Sequence, residues 1–594
     1  MKIPYGRSNF EELRRRGFFY VDKTPFLPLL ESDEAGYAYL LFLRPRRMGK
    51  SLLASTLESY YDLLRADQFD EIFRGLWIHE HPTPERNSYL VLPLDFSAVA
   101  ADRDSDGLVR TFFDVVKQRV YTLAFRYRER IPEMSRVLGR IDEARDPEGL
   151  LGDLMAVVSA TGHKLYVIID EYDHFANRLL AGGSEAVYES AVKRTGFVRS
   201  FYATLKLGTQ SGAVGRIFVT GVSPILLDDL SSGFNIVTNI SNQAAFNSLA
   251  GFSHADVVRA VDELLASRPD VAKDPRIADR ASLLDVLERY YDGYRFSEDT
   301  NERVFNSDMA LYFLRELATR GRYPRHMLDL NVRTAYQQLQ HIGALSGAAP
   351  ELRRAVLEQI VQDGHIDSPL LEQFGFDPSS SRERLVSLLY YLGMLTLGDA
   401  PLDSAVTRLQ IPNRVIRELH WEHLAHTLAE QDAITIDASA LESALQAMGV
   451  RGDIQPLIDL FQERAVRAMG LKDLRKLDER SLKLMLMTFI SLSRMFHVLS
   501  EKELAQGYCD LFLGDSGQVP GARYAWMLEL KYLPTGAGEP AIDAAFVQAE
   551  SQLQRYASDG ALLPVLTRGR SLKAGSLVFL GAKEIRYRSW SGDG

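Results

Sequence analysis

Cysteine is almost absent from this chain of 594 residues, which contains a single one, Cys509. One thiol cannot form an internal disulfide, and it cannot build a zinc site from several thiolates. The sequence also has no apolar run near the roughly 20 residues that a membrane-spanning helix needs. Its N-terminus lacks the basic start and apolar centre of a signal peptide. These absences predict a cytoplasmic protein that has no membrane partner.

An excess of positive charge is also missing, since the formal net charge is −10. This total argues against a protein that coats nucleic acid through charge alone, although it is compatible with a local basic channel. Apolar residues make up 46% of the chain, an ordinary share for a protein that buries several cores. The length predicts two or three domains with helical additions.

The most informative segment is residues 44–51, in which Gly49, Lys50 and Ser51 follow an apolar run. Residues 37–43 predict a buried strand, and residues 51–64 predict a helix. Backbone N–H groups at such a helix N-terminus face phosphates, while the lysine contacts the outer phosphates and the serine hydroxyl holds Mg²⁺. The usual pattern has a glycine where this chain has Arg44. The predicted nucleotide-binding residues of the loop are Arg46, Arg47, Met48, Gly49, Lys50, Ser51 and Leu52.

A second apolar strand, residues 165–170, ends in Asp170 and is followed by Glu171. Ligands of parallel sheets collect at the carboxyl ends of the strands. We therefore expect Asp170 to orient the Mg²⁺ shell and Glu171 to polarise an attacking water. The alternative is a strand capped by the start of a helix. The two signals together favour a site for ATP and Mg²⁺.

Apolar strands alternate with longer amphipathic segments through the first 222 residues. The predicted strands are residues 37–43, 89–96, 165–170 and 216–222. This alternation is typical of a three-layer α/β domain with a mainly parallel sheet. Thr220, near the end of the fourth strand, either senses the outer phosphate or caps the following turn, and the sequence leaves both open.

Helix-length periodicity replaces this alternation from about residue 251, and we predict a helical lid or connector there. Residues 291–296 form an aromatic turn, which we expect to be a loop packed on a core. A second mixed α/β segment follows residue 476. The predicted domains are therefore 1–250, 251–475 and 476–594.

Charged residues lie inside the apolar strands of this last segment. Glu529 and Lys531 project to the same face of a strand, and Asp510 lies on a strand one hairpin earlier. Two carboxylates make an oxygen site suited to Mg²⁺, and Lys531 can orient or deprotonate a water. The alternative is a salt-bridged edge strand that is unrelated to Asp510.

Three further side chains are predicted to assist this second centre. Residues 481–499 predict an apolar helix, and Glu503, which we place on this helix before the first strand, could add a metal ligand. Gln552 and Tyr556 are four residues apart, so they share a helix face and could position a phosphate or a metal-bound water.

The order of these motifs resembles a bacterial and archaeal family that joins an AAA-like ATPase domain to a C-terminal nuclease-like domain of the PD-(D/E)XK superfamily. The loop is similar to the family's, with Met48 in the place of an aromatic residue, and Arg44 matches the family habit. The other matching segments are residues 5–10, 20–24, 94–97, 169–173, 220–222, 291–294, 500–503, 507–510, 529–531 and 552–556.

The resemblance implies that Lys50, Ser51, Asp170 and Glu171 serve the nucleotide and its Mg²⁺. It likewise implies a nuclease centre at three residues, which are Asp510, Glu529 and Lys531. The expected substrate is DNA or RNA, the implied role is defence against phage or mobile DNA, and ATPases of this broad type often form homo-oligomers. The alternatives are a nucleotide-driven switch that binds nucleic acid or a partner without cutting, and a scaffold that does not hydrolyse nucleotide.

Overall fold

The structure is a computed structural model. It describes residues 1–32, 34–100, 105–181, 184–192, 196–226, 235–271, 280–324, 326–329, 349–373, 381–399, 406–432, 437–466, 479–493, 495–504, 507–516, 519, 521–558, 562–581 and 583–591. Among these residues, none of the helices combines the length and the apolar character that a bilayer crossing requires.

The chain forms two compact units. The first consists of Met1–Arg353 and His365–Ile416, and the second of Arg354–Gly364 and Arg417–Gly594. The predicted division into three domains stays a prediction.

The α-helices of the first half are α1 (Phe10–Arg15), α2 (Leu27–Leu30), α3 (Lys50–Tyr61), α4 (Phe69–Phe73), α5 (Trp77–Glu80), α6 (Ser105–Tyr127), α7 (Met134–Arg140), α8 (Pro147–Ala160), α9 (His174–Ala181), α10 (Glu185–Val192), α11 (Phe197–Gln210) and α12 (His254–Ser267). Those of the second half are α13 (Arg280–Tyr291), α14 (Ser307–Arg320), α15 (Pro350–Asp363), α16 (Arg382–Tyr391), α17 (Arg414–Asp432), α18 (Ala438–Gln446), α19 (Gln455–Phe461), α20 (Glu479–Ser491), α21 (Glu539–Ala557) and α22 (Leu562–Thr567). Short 3₁₀ or π turns occupy Thr24–Phe26, Leu63–Gln68, Phe96–Ala98, Ala244–Phe246, Ala447–Arg451 and Gln462–Val466.

The strands belong to three sheets. The first contains β1 (Tyr39–Leu43), β2 (Leu90–Asp95), β3 (Leu165–Asp170), β4 (Val214–Gly221) and β5 (Thr238–Asn239). The second contains β6 (His365–Ser368), β7 (Thr396–Leu397) and β8 (Thr407–Gln410). The third contains β9 (Phe496–Leu504), β10 (Gly507–Asp515), β11 (Tyr524–Leu533), β12 (Ser571–Leu580) and β13 (Glu584–Trp590).

The first sheet is parallel and has the strand order β2-β3-β4-β1-β5. β3 and β4 are buried along nearly their whole length, as expected for central strands that are covered on both faces. Helices α3, α6 and α11 pack against this sheet. The prediction of an α/β domain with a parallel sheet is confirmed. The fifth strand escaped prediction because its two residues are too few for a periodic pattern.

The middle of the chain is mainly helical, as predicted, but it also contains the antiparallel sheet β6-β8-β7. Those strands have two to four residues each, too short for periodicity to detect. The aromatic turn is buried through Tyr291, Tyr294 and Phe296, as expected. Gly293 is required there, because its φ is +100° and an added Cβ would lie 2.0 Å from the Pro412 carbonyl oxygen.

The third sheet has the order β13-β12-β11-β10-β9, in which only β11 and β12 run parallel. Helix α20 precedes the sheet, and α21 connects β11 to β12. Its apolar core includes Trp526, Leu528 and Phe579. The predicted C-terminal α/β domain is therefore confirmed.

One element of this segment was predicted wrongly. Residues 481–499 read as a single apolar helix, but α20 ends at Ser491 and β9 begins at Phe496. The break coincides with the polar Ser491 and Ser493, after which buried Phe496 and Val498 alternate with less buried neighbours, as in a strand. Glu503 thus lies on β9, opposite Tyr508, and not on a helix. Its side chain lies outside the described residues.

Candidate functional site

The loop after β1 adopts the turn that a phosphate site needs. Gly49 is the residue before α3 and has a φ of +96°, while Arg47 has a φ of +70°. A glycine tolerates this left-handed conformation without steric cost. The first N–H groups of α3 have no helical partners, so this end of the helix is suited to an anion.

Lys50 folds back onto the loop. Its Nζ donates to the carbonyl oxygens of Arg44 at 2.9 Å and Pro45 at 3.1 Å. Burial lowers the pKa of Lys50, and the carboxylates of Glu171 and Asp170 oppose that shift. A triphosphate would replace two neutral carbonyl oxygens with anionic ones, which are stronger acceptors.

Asp170 and Glu171 face this loop from the end of β3. The Asp170 carboxylate is hydrogen bonded to the Ser51 side chain, and burial raises its pKa while that bond opposes the shift. Burial also favours the neutral form of Glu171, but a hydrogen bond from His174 and the charges of Lys50 and Arg46 hold its pKa at about 2. Glu171 is thus ionised at neutral pH, as a residue that polarises a water must be.

A cavity of about 360 Å³ adjoins the loop. Residues 46–52 line it together with Glu171. Its apolar lining comes from distant parts of the first unit, namely Phe19, Val21, Leu249, Phe252 and Leu311. A pocket of this volume with an apolar wall and a polar end is the usual form of a small-molecule site.

Two further carboxylates, which the sequence analysis did not name individually, lie at this edge of the sheet. Asp95 ends β2, lies opposite Asp170 in the register and adds negative charge there. Asp173 is buried and accepts hydrogen bonds from the backbone N–H groups of Val222 at 3.1 Å and Ser223 at 2.8 Å. The sequence signal for both was their place in the matching segments 94–97 and 169–173, each of which includes the end of an apolar strand.

The Thr220 hydroxyl is fully buried and donates to the Phe42 carbonyl oxygen at 2.8 Å. This hydrogen bond joins β4 to β1. Two arginines of the first unit, Arg216 and Arg295, are also buried. Arg216 binds Glu85, and Arg295 binds Asp399 at 3.0 Å.

The second unit brings together Asp510, Glu529 and Lys531. The Asp510 backbone N–H donates to Glu529 Oε1 at 3.2 Å, and the Leu530 N–H donates to Asp510 Oδ2 at 3.0 Å. Lys531 Nζ lies 3.5 Å from Glu529 Oε2. The pairing of β10 with β11 thus places both carboxylates side by side.

Lys483 supplies a second cation that sequence analysis missed. It lies on α20, and its Nζ is 3.7 Å from Asp510 Oδ1. Its only sequence signal is a lysine inside the otherwise apolar run of residues 482–487. The two carboxylates are therefore flanked by one lysine each, which offsets their mutual repulsion.

Glu529 is fully buried. Burial, together with the negative charge of Asp510, raises the pKa of Glu529 to about 8. Three buried oxygens in this neighbourhood accept no hydrogen bond, which are Glu529 Oε2, Gln552 Oε1 and the hydroxyl of Ser576, the register partner of Glu529 on β12. Unsatisfied buried oxygens are rare in folded proteins and fit a site that takes a cation or water.

The helix α21 presents Gln552 and Tyr556 to this centre. The Tyr556 hydroxyl donates to the Tyr508 carbonyl oxygen at 2.7 Å and is also hydrogen bonded to Gln552. Tyr556 thus braces β10, while the Gln552 carbonyl oxygen stays available. Among the described residues, no group of three or more His, Cys, Asp or Glu side chains could hold a metal. A site with two carboxylates would suit Mg²⁺, which keeps several waters.

Comparison with known families agrees with both geometries. Residues 4–231 match the AAA-ATPase-like family, described as a predicted AAA-ATPase, and residues 477–586 match the PD-(D/E)XK nuclease superfamily. The chain carries an AAA-ATPase-like domain and a C-terminal PD-(D/E)XK nuclease superfamily domain.

Individual relatives are more distant. An uncharacterized protein in the vnfD 5′ region of Azotobacter chroococcum is 28% identical over 316 residues, and the chain spans about half the length of this curated relative, 52% of each. The Walker-type ATPase paby2304 of Pyrococcus abyssi has a TM-score of 0.34 at 14% identity, covering 71% of this chain and 98% of that one. Cdc6p from Pyrobaculum aerophilum has a TM-score of 0.24 at 12% identity, covering 72% of this chain and 96% of that one.

The raised pKa of Glu529 predicts a specific pH dependence of stability. Because its pKa is about 8 in the folded state and 4.5 ordinarily, the unfolded chain releases this proton first as the pH rises. Native protein in EDTA should therefore lose stability relative to Glu529→Gln between about pH 5 and pH 8. Urea unfolding of both proteins across this range measures the difference. If the difference in free energy of unfolding between the two proteins does not change with pH, the raised pKa of Glu529 is contradicted. A loss of packing caused by the substitution lowers stability equally at every pH, so it does not produce this trend.

Proposed function

We propose that the protein binds and hydrolyses ATP in its first unit and cleaves DNA or RNA in its second. The observation that supports the nuclease proposal is the pair of neighbouring carboxylates, in which Glu529 Oε1 accepts from the Asp510 N–H and Asp510 Oδ2 accepts from the Leu530 N–H. Lys531 Nζ lies 3.5 Å from Glu529 Oε2. The superfamily match at residues 477–586 supports it. Strands β10 and β11 thus bring two carboxylates, which could bind a metal ion, close to a lysine.

The nucleotide site would use the groups already assembled at the edge of the first sheet. Lys50 would bind the outer phosphates, Ser51 and Asp170 would hold Mg²⁺, and the apolar part of the adjoining cavity would take the base. Glu171 is ionised and lies one residue after Asp170, so it would accept a proton from the attacking water. The remaining loop residues, Arg46 to Met48 and Leu52, would contact the phosphates through backbone or side chain.

In the second unit, Asp510 and Glu529 would hold a divalent cation, and Gln552 would bind its water through the free carbonyl oxygen. A cation there would polarise the scissile phosphate and lower the pKa of a bound water. Lys531 would steady the negative charge that develops on the phosphate. Lys483 would keep Asp510 in place.

The wider setting is also part of the proposal. A cytoplasmic role in defence against phage or mobile DNA would suit an ATP-gated nuclease, and ATP could drive assembly into a homo-oligomer. Phage plating on cells that carry the native gene or the Lys531→Ala variant tests this role, since only the native protein should reduce plaque number.

The nucleotide proposal predicts that Lys50→Ala weakens ATP binding by about tenfold to a hundredfold, the worth of one charge-assisted hydrogen bond. Glu171→Gln should bind ATP as the native protein does and hydrolyse it at least about 100-fold more slowly, because the proton acceptor is gone. Fluorescence titration and phosphate release measure the two quantities. Lys206→Ala, at a half-buried lysine of the same unit whose Nζ donates to Asn235 Oδ1, is the control. Unchanged affinity in Lys50→Ala would favour a scaffold that does not use nucleotide.

The nuclease proposal predicts that Lys531→Ala and Asp510→Asn each reduce cleavage by at least about 100-fold, the usual worth of a catalytic polar group. Plasmid, single-stranded DNA and RNA are incubated with Mg²⁺, with and without ATP, and cut strands are counted on denaturing gels. Lys573→Ala, at an exposed lysine of the neighbouring β12, should cut like the native protein. ATP-dependent binding by native protein without any scission would overturn this proposal and support a nucleotide-driven switch.

A further inference from the structure

Arg44 occupies the place where phosphate-binding loops usually begin with glycine, yet its side chain does not approach the cavity. It is buried, with 1% of its surface exposed. Nη1 donates to the carbonyl oxygens of Leu43 at 2.8 Å and Ser241 at 2.7 Å. Nη2 donates to those of Phe246 at 2.8 Å and Asn247 at 3.4 Å. The guanidinium therefore ties the end of β1 to residues 241–247.

Two aromatic rings enclose the same guanidinium. Its Cζ lies 4.4 Å from the centre of the Phe42 ring and 4.1 Å from the centre of the Phe296 ring. Among the described residues, no salt bridge involves Arg44, so carbonyl dipoles and ring faces alone offset its charge. Burial of a cation without a carboxylate is costly, and it lowers the pKa of Arg44 to about 9.

The backbone of Arg44 links this buried cation to the reactive end of the loop. The Arg44 carbonyl oxygen accepts from Lys50 Nζ at 2.9 Å, and the Arg44 N–H donates to the Gly221 carbonyl oxygen at 3.2 Å. A shift of Arg44 would therefore displace the acceptor that holds Lys50. The side chain thus acts on the phosphate site through the backbone.

Residues beyond the family match at 4–231 also donate hydrogen bonds to three carbonyl oxygens of the loop, those of Arg46, Arg47 and Met48. The Met48 carbonyl oxygen accepts from the Gly251 N–H at 2.8 Å. That of Arg47 accepts from the Ser307 hydroxyl and the Asp308 N–H, both at 3.2 Å, and that of Arg46 from Asn306 Nδ2 at 3.3 Å. The loop is consequently braced from residues 241–308 rather than by the tight packing that a glycine permits.

We propose that Arg44 is a positioning residue for nucleotide binding. Its guanidinium lies between the rings of Phe42 and Phe296 and fixes the phosphate-binding loop by donating to the carbonyl oxygens of Ser241, Phe246 and Asn247. This inference rests on the proposed nucleotide function. It requires the planar, five-donor guanidinium, since a lysine ammonium cannot donate to four carbonyl oxygens on two sides and stack between two rings. It also implies that glycine, the usual residue here, is the wrong residue for this loop.

The test compares the dissociation constant for ATP with thermal stability in full-length variants. Arg44→Lys keeps the positive charge and loses the planar guanidinium. Arg44→Gly introduces the glycine that phosphate-binding loops usually have at this position. Arg216→Lys is the matched control, because Arg216 is an equally buried arginine of the same sheet that binds Glu85 and the carbonyl oxygens of Leu30 and Tyr37. We expect both Arg44 variants to raise the dissociation constant at least tenfold, and Arg216→Lys to lower the melting temperature with affinity changed less than twofold.

Each outcome decides between the accounts. ATP affinity in Arg44→Lys or Arg44→Gly equal to that of native protein overturns the inference, as does an equal loss of affinity in Arg216→Lys. Absence of ATP binding by the native protein refutes the proposed function itself. If neither Arg44 variant folds, Phe296→Leu removes one ring and leaves the loop sequence intact. Its dissociation constant should then rise at least threefold, and an unchanged value overturns the inference.

Discussion

Two carboxylates held against each other inside an apolar sheet are the constraint on which the second unit depends. Each carboxylate accepts a hydrogen bond from the backbone of the other strand, Glu529 from the Asp510 N–H and Asp510 from the Leu530 N–H, and Glu529 is fully buried. Like charges this close disfavour ionisation, and burial adds to the cost. Lys483 and Lys531 offset part of it, but Glu529 Oε2 and Gln552 Oε1 still lack a hydrogen-bond donor. Under the proposed function, a divalent cation that both carboxylates share would offset this cost.

In the first unit, two cations of the phosphate-binding loop are buried. Lys50 and Arg44 both donate to backbone carbonyl oxygens at the start of the loop. These hydrogen bonds order the loop in the absence of a ligand. Binding of a phosphate would therefore cost less conformational entropy of the loop. Since residues 241–308 provide much of this order, affinity for nucleotide would respond to changes in a part of the sequence that lies far from the loop.

The sequence was most informative where chemistry and secondary structure coincide. The predicted strand, turn and helix around Gly49 and Lys50 agree with β1 and α3, and the strand that ends at Asp170 was predicted to the residue. Alternation along β11 placed Glu529 and Lys531 on one face, where the structure has them together. In each case a short local pattern was sufficient.

Features that depend on contacts between distant residues could not be predicted. Lys483 approaches Asp510 only through the packing of α20, and three of the four carbonyl oxygens that accept from Arg44 lie about 200 residues further along the chain. Glu503 was assigned to a helix because an apolar run hid the break after Ser491. For Thr220 the sequence left a phosphate contact and a turn cap both open, and in the structure its hydroxyl donates to a carbonyl oxygen of the neighbouring strand β1. Local patterns carry no information about such partners.

The most direct test of the central claim is a titration of the full chain with Mn²⁺, a paramagnetic substitute for Mg²⁺, followed by electron paramagnetic resonance without nucleotide. We expect the native protein and Lys50→Ala to bind one ion at the carboxylate pair, and Asp510→Asn to lose it. Equal Mn²⁺ binding by native protein and Asp510→Asn would contradict a metal centre at these residues.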